Sequence, residues 1–266
     1  MANIPFSRWY KVIENRRSRR RFESKPLKPK YLNHIRSICR SFQPFSDARA
    51  VLVAKSPEKV FKGAVGTYGK IKGATAFIAF IGDMKSPLVH EHVGYTGEGI
   101  ILELEAMGLN TCWVGGLFKP KVVESMIDLE EDERVLAVTP VGYAPKRLSF
   151  EERLMAGFGL TYKRKPLSKL VIGLKQSEWP EWIRLALEAA RLAPSRVNRQ
   201  PWRFHVEKES ITVAVNSGRM ERESVTSERL CCGIAMLHIE IAALHCNVAG
   251  DWTYFNPPLV AKFQYR

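Results

Sequence analysis

No G-x-G-x-x-G follows a strand-like run in this chain, and neither a Walker A sequence nor a G-x-S-x-G occurs. Those absences remove the dinucleotide fingerprint, the P-loop and the nucleophile elbow as starting points. No Ser, His and Asp residues are arranged as a triad. Long hydrophobic runs are missing too. The longest, Ala74 to Ile81, falls far short of the roughly 20 residues that span a bilayer. Cysteine is sparse: Cys39, Cys112, Cys231, Cys232 and Cys246 form no C-x-x-C and no Cys/His ligand spacing. This pattern argues against a structural zinc or a disulfide framework and fits reduced thiols in a cytosolic protein. Charge follows Met1–Pro5 without an apolar stretch, so no signal peptide is expected and the expected location is cytoplasmic.

Acidic residues are the scarcer charge, 27 against 41 Lys and Arg, for a net charge of +14. The excess is local. Residues 1–30 hold ten Lys/Arg against Glu14 and Glu23. A cluster of that kind suits an anionic ligand better than a broad nucleic-acid footprint. A basic nucleic-acid-binding protein remains a third reading, although no aromatic residues interleave with the N-terminal cations. Hydrophobic content of 45% over 266 residues is that of a globular chain able to bury a large core.

Periodicity predicts helices over 7–15, 31–42, 94–108, 120–127, 180–192 and 230–246. It predicts strands over 48–54, 74–81, 133–143, 202–206, 211–215 and 249–255, the last read as the final strand. Shifting Leu102–Asn110 by 137 positions brings it onto Ile239–Asn247 with Glu103 on Glu240. Helix and strand order also recur, which predicts an internal duplication. The expected organisation is a first half over 1–150, a connection over 151–175 and a second half over 176–266.

Two unlike segments carry the chemistry. Arg16-Arg17-Ser18-Arg19-Arg20-Arg21-Phe22 supplies cations and a hydroxyl, and in an extended chain Arg16, Ser18 and Arg20 share a side. Guanidinium forks there suit a phosphate; a solvated charge run has the same composition. Pro194-Ser195-Arg196-Val197-Asn198-Arg199-Gln200-Pro201-Trp202 is a polar helix-to-strand turn in which Pro201 is expected to hold Gln200 extended. It is either half of a binding site or a plain structural turn. Gly115-Gly116, after Trp113, leaves room for a ligand to meet backbone N–H groups, and a simple turn has that sequence as well. Thr67 and Tyr68 could wall the same pocket. Lys146 and Arg147 could extend a phosphate site or simply solubilise a linker. His90-Glu91-His92 spaces two histidines poorly for one metal, and Cys231-Cys232 reads as a buried helix start.

Taken together these segments resemble the FMN-dependent nitroreductase family. The first is similar to its R-R-S-x-R-x-F motif, and 193–202 to its A-P-S-x-x-N-x-Q-P-W. Leu109–Gly116 resembles its G-L-G-T-C-W-I-G, and Arg164-Lys165-Pro166-Leu167 its R-K-P-L. The order departs from ordinary members, in which N-Q-P-W follows R-R-S closely. Here Pro44–Arg49 stands in that place, and the N-Q-P-W copy lies in the second half. The resemblance therefore implies a single-chain pseudo-dimer: an α+β nitroreductase-like fold, internally duplicated, with antiparallel or mixed sheets and helices about a pseudo-two-fold axis. It implies an oxidoreductase passing hydride from NADH or NADPH through one FMN per chain to a nitroaromatic, quinone or similar small acceptor. The FMN would lie among Arg16, Arg17, Ser18, Arg20, Thr67, Tyr68, Gly115, Gly116, Lys146, Arg147, Pro194, Ser195 and Asn198, and no side chain would need to act as a nucleophile. A monomer or weak homodimer is expected, with no nucleic acid, membrane or metal. The alternative is an FMN- or nucleotide-binding protein without catalysis.

Overall fold

The apolar run at 74–81 becomes β2 (Ala76–Asp83), and the alternation along it divides two cores. Ala76, Ile78 and Phe80 face the main core, whereas Phe77, Ala79 and Ile81 pack with Val60, Phe61 and Val123 in a smaller one. Both faces are covered, which is why the run shows no polar alternation. The computed structural model of the chain describes residues 4–55, 57–61, 71–116, 118–147, 163–216 and 222–266.

The first half contains α1 (Phe6–Ile13), α2 (Pro29–Ser41), β1 (Ala48–Val53), α3 (Pro57–Phe61), β2, α4 (Val89–Ala106), β3 (Asn110–Thr111), α5 (Pro120–Glu124) and β4 (Glu133–Gly142). The connection contains β5 (Val171–Gly173), and the second half contains α6 (Glu181–Leu192), β6 (Trp202–Glu207), β7 (Ser210–Val215), α7 (Arg222–His245), β8 (Gly250–Tyr254) and β9 (Leu259–Tyr265). The first sheet runs β1-β2-β4-β3, antiparallel throughout. The second runs β5-β6-β7-β9-β8, antiparallel except for the added parallel strand β5.

Without β5 the two sheets have one order, and the agreement extends to single residues. In each sheet the ladder between the second strand and the last is broken by a bulge, at Phe80/Ile81 and at Val213/Ala214. Each central helix ends in the same pattern of hydrogen bonds. Leu109 N–H donates to the Leu104 carbonyl at 2.9 Å, and Val248 N–H to the Ala243 carbonyl at 2.9 Å. Gly108 and Asn247 stand in the same left-handed turn, at φ +75° and +58°, the conformation that closes helices in this way. These pairs are 139 positions apart, not the 137 of the sequence match. The match failed because Glu103 and Glu240 are chemically alike but occupy different places on their helices.

α4 and α7 cross at the centre. A Cβ on Gly94 would stand 2.0 Å from the Leu230 carbonyl oxygen, and one on Gly233 would stand 2.0 Å from that of Glu91. Glycine lets the two backbones touch there. α4 is buried on every side, so its three buried carboxylates are all partnered. Glu91 pairs with Arg229, Glu98 accepts from Trp113 and faces His238, and Glu103 accepts from Arg8 and Trp9 and faces His34.

The other expected elements form within a few residues of their predicted ends, with two exceptions. α7 begins earlier, at Arg222, so Cys231 and Cys232 lie inside it and not at its start. The strand expected to be final is β8; β9 follows it, hidden in the sequence behind Pro257 and Pro258. All five cysteines are unpaired, and burial pushes the Cys39 thiol up to about 12. No helix among the described residues is long and apolar enough to cross a membrane, and none of their His, Cys, Asp and Glu groups could hold a metal ion.

Candidate functional site

α1 ends at Ile13 and the chain turns into the arginine segment, with Arg16 N–H still bonded to the Val12 carbonyl at 2.8 Å. The segment then runs beside β3: Ser18 bridges Thr111, and Arg19 N–H donates to the Thr111 carbonyl at 2.8 Å. Burial does not follow the simple alternation expected. Arg16 and Arg19 are buried, Arg17 and Arg21 are exposed, and Ser18 and Arg20 lie between. The Arg19 guanidinium bonds the carbonyls of Pro145 and Arg147, at 2.8 and 3.4 Å. It thereby ties the exposed pair Lys146 and Arg147 to the edge of the cluster.

Arg16 is the inward member. Its side chain is 4% exposed, and its Nε lies 3.9 Å from Glu98 Oε1. Glu98 is engaged elsewhere: Trp113 Nε1 donates at 2.7 Å and His238 Nε2 lies at 3.0 Å. His238 Nδ1 faces the Ala189 carbonyl at 2.8 Å and so carries its hydrogen toward that oxygen. Arg16 Nη1 is buried with no hydrogen-bond partner among the described residues.

The connection between the halves contributes through Arg164, at the start of the expected R-K-P-L segment. Arg164 donates to Asn198 Oδ1 and, at 3.0 Å, to the Leu192 carbonyl. Its Nε is buried and unpartnered among the described residues. Burial lowers its pKa to about 10; Arg16, Arg17 and Arg191 push the same way, and Glu98 opposes them. It remains a cation at neutral pH, held near other cations. Burial also pushes the Glu105 carboxyl up to about 7, against the pull of Arg16; Glu98 adds to the rise, while Arg17 and Arg19 oppose it. The centre therefore has an excess of buried positive charge.

The loop holding Asn198 is strained. Val197, Asn198 and Gln200 have φ of +46°, +55° and +51°, and such residues each cost on the order of 1 kcal/mol or more. Gln200 is thus left-handed, not extended as expected from Pro201. Its hydrogen bonds override the preference: its N–H donates to Ser195 Oγ at 2.9 Å, its Oε1 accepts from Lys165 N–H at 2.7 Å, and its Nε2 donates to the Lys163 carbonyl at 3.2 Å. Asn198 Nδ2 also donates to Lys163, at 2.8 Å. Pro194 is buried and Trp202 fully so, beneath the loop. Arg196 N–H reaches Cys231 Sγ on α7 at 3.4 Å.

Residues 8–243, nearly the whole chain, match the model of the family described as "Putative TM nitroreductase". The chain belongs to this family. It is accordingly a member of an oxidoreductase family. A crystal structure of a nitroreductase from Thermotoga maritima MSB8, itself described as putative, matches with a TM-score of 0.66 at 20% identity, over 96% of this chain and 93% of that one; this shows the nitroreductase fold. An FMN-dependent nitroreductase from Clostridium difficile R20291 matches at 17% identity and TM-score 0.43, over 58% of this chain and 98% of that one. A nitroreductase with bound FMN from Bacteroides fragilis matches at 14% identity and TM-score 0.43, over 53% and 91%. No curated protein matches.

Of the expected nitroreductase site residues, Asn198 bonds Arg164, and Arg16 and Arg17 lie near enough to lower the pKa of that arginine. Ser18 and Arg20 lie along the same segment, and Lys146 and Arg147 stand at its rim. Pro194 and Ser195 support the loop from within. Gly115 and Gly116 follow Val114, which bridges Val138; a Cβ on either glycine would meet open space, so neither is required by packing. Thr67 and Tyr68 lie outside the described residues. Sequence reasoning missed Arg164 as a site residue, although it lay within a quoted motif, and missed Glu98, Glu105 and His238. A lone Glu or His on a helix carries no signal in sequence; only the fold brings these to Arg16.

Proposed function

We propose that this chain is an FMN-dependent oxidoreductase that binds one FMN per chain between its halves. The observation that carries the reading is the closeness of Arg164 to Arg16, near enough for the one cation to lower the pKa of the other. Arg16 comes from the first half and Arg164 from the connection that leads into the second; Arg16 is buried, Arg164 is partly buried, and each has a buried nitrogen without a partner among the described residues. Buried cations so arranged favour an anion with several acceptor oxygens, and a phosphate fits. Gly115 and Gly116, whose Cβ positions are open, leave room for a flat ring system beside it.

In this reading Arg16 and Arg164 hold the phosphate, with Arg17, Ser18 and Arg20 along the segment and Lys146 and Arg147 at the rim. Asn198 acts by orienting Arg164, and Pro194 and Ser195 fix the loop. Thr67 and Tyr68 are kept as candidate walls. Gly115 and Gly116 present backbone N–H groups to the ring edge. Bound there, FMN supplies two-electron chemistry, from NADH or NADPH to a small organic acceptor such as a nitroaromatic or quinone. The protein binds, orients and excludes water. The matched sheet order, bulges and helix ends support descent by duplication, with halves over 1–150 and 176–266 and a connection over 151–175. Since one chain supplies both sides of the site, it needs no partner subunit to complete it, and we infer a monomer acting in the cytoplasm.

Purified protein titrated with FMN tests the reading. Flavin uptake with quenched fluorescence, followed by bleaching with NADH or NADPH, is expected. Protein that takes up no FMN refutes it, and uptake without bleaching by either reductant favours binding without catalysis.

A further inference from the structure

The residue register between the halves identifies what occupies the place equivalent to the proposed site. Thr111 faces Val141 and Val114 faces Val138 in the first sheet; Gly250 faces Tyr265 and Thr253 faces Lys262 in the second. One pair of offsets, 139 and 124, carries both of the first pairings onto the second. The same offset of 139 places Trp113 on Trp252. Both indoles donate to a buried glutamate on the preceding central helix, Trp113 to Glu98 at 2.7 Å and Trp252 to Glu240 at 2.6 Å. Each glutamate is also bonded from the opposite helix, Glu98 by His238 and Glu240 by Tyr95. The indole-to-glutamate contact therefore recurs at equivalent tryptophans, although Glu98 and Glu240 stand 142 positions apart and are not themselves in register.

One position farther along, it breaks. Gly115, next to open space, corresponds to Tyr254. The Tyr254 ring packs edge-on against His92 at 5.1 Å and Phe45 at 6.5 Å, and Phe45 stacks flat on His92 at 3.8 Å. His92 corresponds in register to Cys231, and each touches the loop that precedes its partner sheet: Cys231 receives Arg196 N–H, and His92 bonds Asp47 at 2.8 Å. Carboxylates lie near this place as well. Burial and the carboxylates of Glu240, Glu91 and Asp47 hold the Tyr254 phenol well above its usual range. The neighbouring cation, Arg229, is bonded to Glu91.

We infer that this second place is closed to a flavin by Tyr254, Phe45 and His92, both by filling it and by surrounding it with carboxylates, so that the chain has a single cofactor position. The inference rests on the FMN reading above. It also assigns Gly115 a role that its own backbone does not require: it keeps the first place open.

Flavin released from FMN-saturated protein and counted per chain tests this. One FMN per chain is expected. Two would overturn the inference, and with it the count of one FMN per chain, while leaving FMN binding at the first place intact; none would overturn the FMN reading and this inference with it. Gly115→Tyr copies the second place into the first and should weaken FMN binding at least tenfold with an unchanged melting temperature. FMN affinity equal to that of the parent in a folded Gly115→Tyr protein would overturn the equivalence.

Discussion

Gly94 and Gly233 are reciprocal contacts: each stands against a carbonyl of the other's helix, that of Leu230 and that of Glu91, with 2.0 Å left for a Cβ. Backbone cannot yield as a flexible side chain can. Either glycine changed to alanine must therefore push α4 and α7 apart along the main core. Overpacking of this kind costs about 1–3 kcal/mol, and each single variant should reach at least the upper part of that range in urea unfolding. Because both act at one crossing, the double variant should lose less than the sum of the two. Additive losses would mean that the two contacts are independent.

Glu105 makes stability depend on pH. Its carboxyl titrates at about 7 in the fold against an ordinary 4.5. Between those values the folded chain binds the extra proton and the unfolded chain does not. The contribution is present in full below about pH 4.5 and is lost as pH rises to about 7. It amounts to about 1–3 kcal/mol. Glu105→Gln should flatten this part of the stability profile and make the variant the more stable protein at pH 8. Parallel melting curves for parent and variant from pH 5 to 8 would contradict that assignment.

Most of this architecture was legible in the sequence. The apolar run of β2, the hairpin of β6 and β7 and the long central helices have periodicities that packing merely extends. The likeness of the two halves in element order was legible but its register was not, because like residues two positions apart imitate a match that only backbone pairing can correct. Gln200 was misread because the rule for a residue before proline weighs local sterics alone, whereas four side-chain and backbone bonds from Ser195, Lys163, Lys165 and Asn198 decide its conformation. The segment that holds Arg16 stands out because cations cluster visibly in sequence. Glu98, which lies beside Arg16, and His238, which faces Glu98, do not stand out, because they come together only through α4 and α7.

The strained loop yields a stability prediction with the opposite sign. Val197 is β-branched, sits at φ +46° and is 37% exposed, so it gains little from packing. Val197→Gly removes the steric penalty, although glycine adds entropy to the unfolded chain. Where the left-handed cost exceeds that entropy, the net gain is about 0.5–1 kcal/mol. A higher denaturation midpoint is expected for Val197→Gly. A lower one would show that the valine side chain makes a contact that outweighs its backbone strain.

Arg16 and Arg164 are expected to serve ligand affinity at some cost to the fold. Without an anion they repel one another, which is part of why Arg164 loses its proton at about 10. Arg16→Gln keeps much of the side-chain volume, removes the repulsion and leaves Glu98 bonded to Trp113 and His238. The ligand-free variant should thus melt no lower than the parent. With FMN present the order should reverse, because losing one buried charge-assisted contact to a phosphate weakens binding by about 2 kcal/mol or more, roughly thirtyfold. Thermal shift of both proteins with and without saturating FMN reads the two effects at once. An Arg16→Gln protein that melts lower without ligand and gains as much from FMN as the parent would make Arg16 a structural residue, and the phosphate would have to be sought elsewhere.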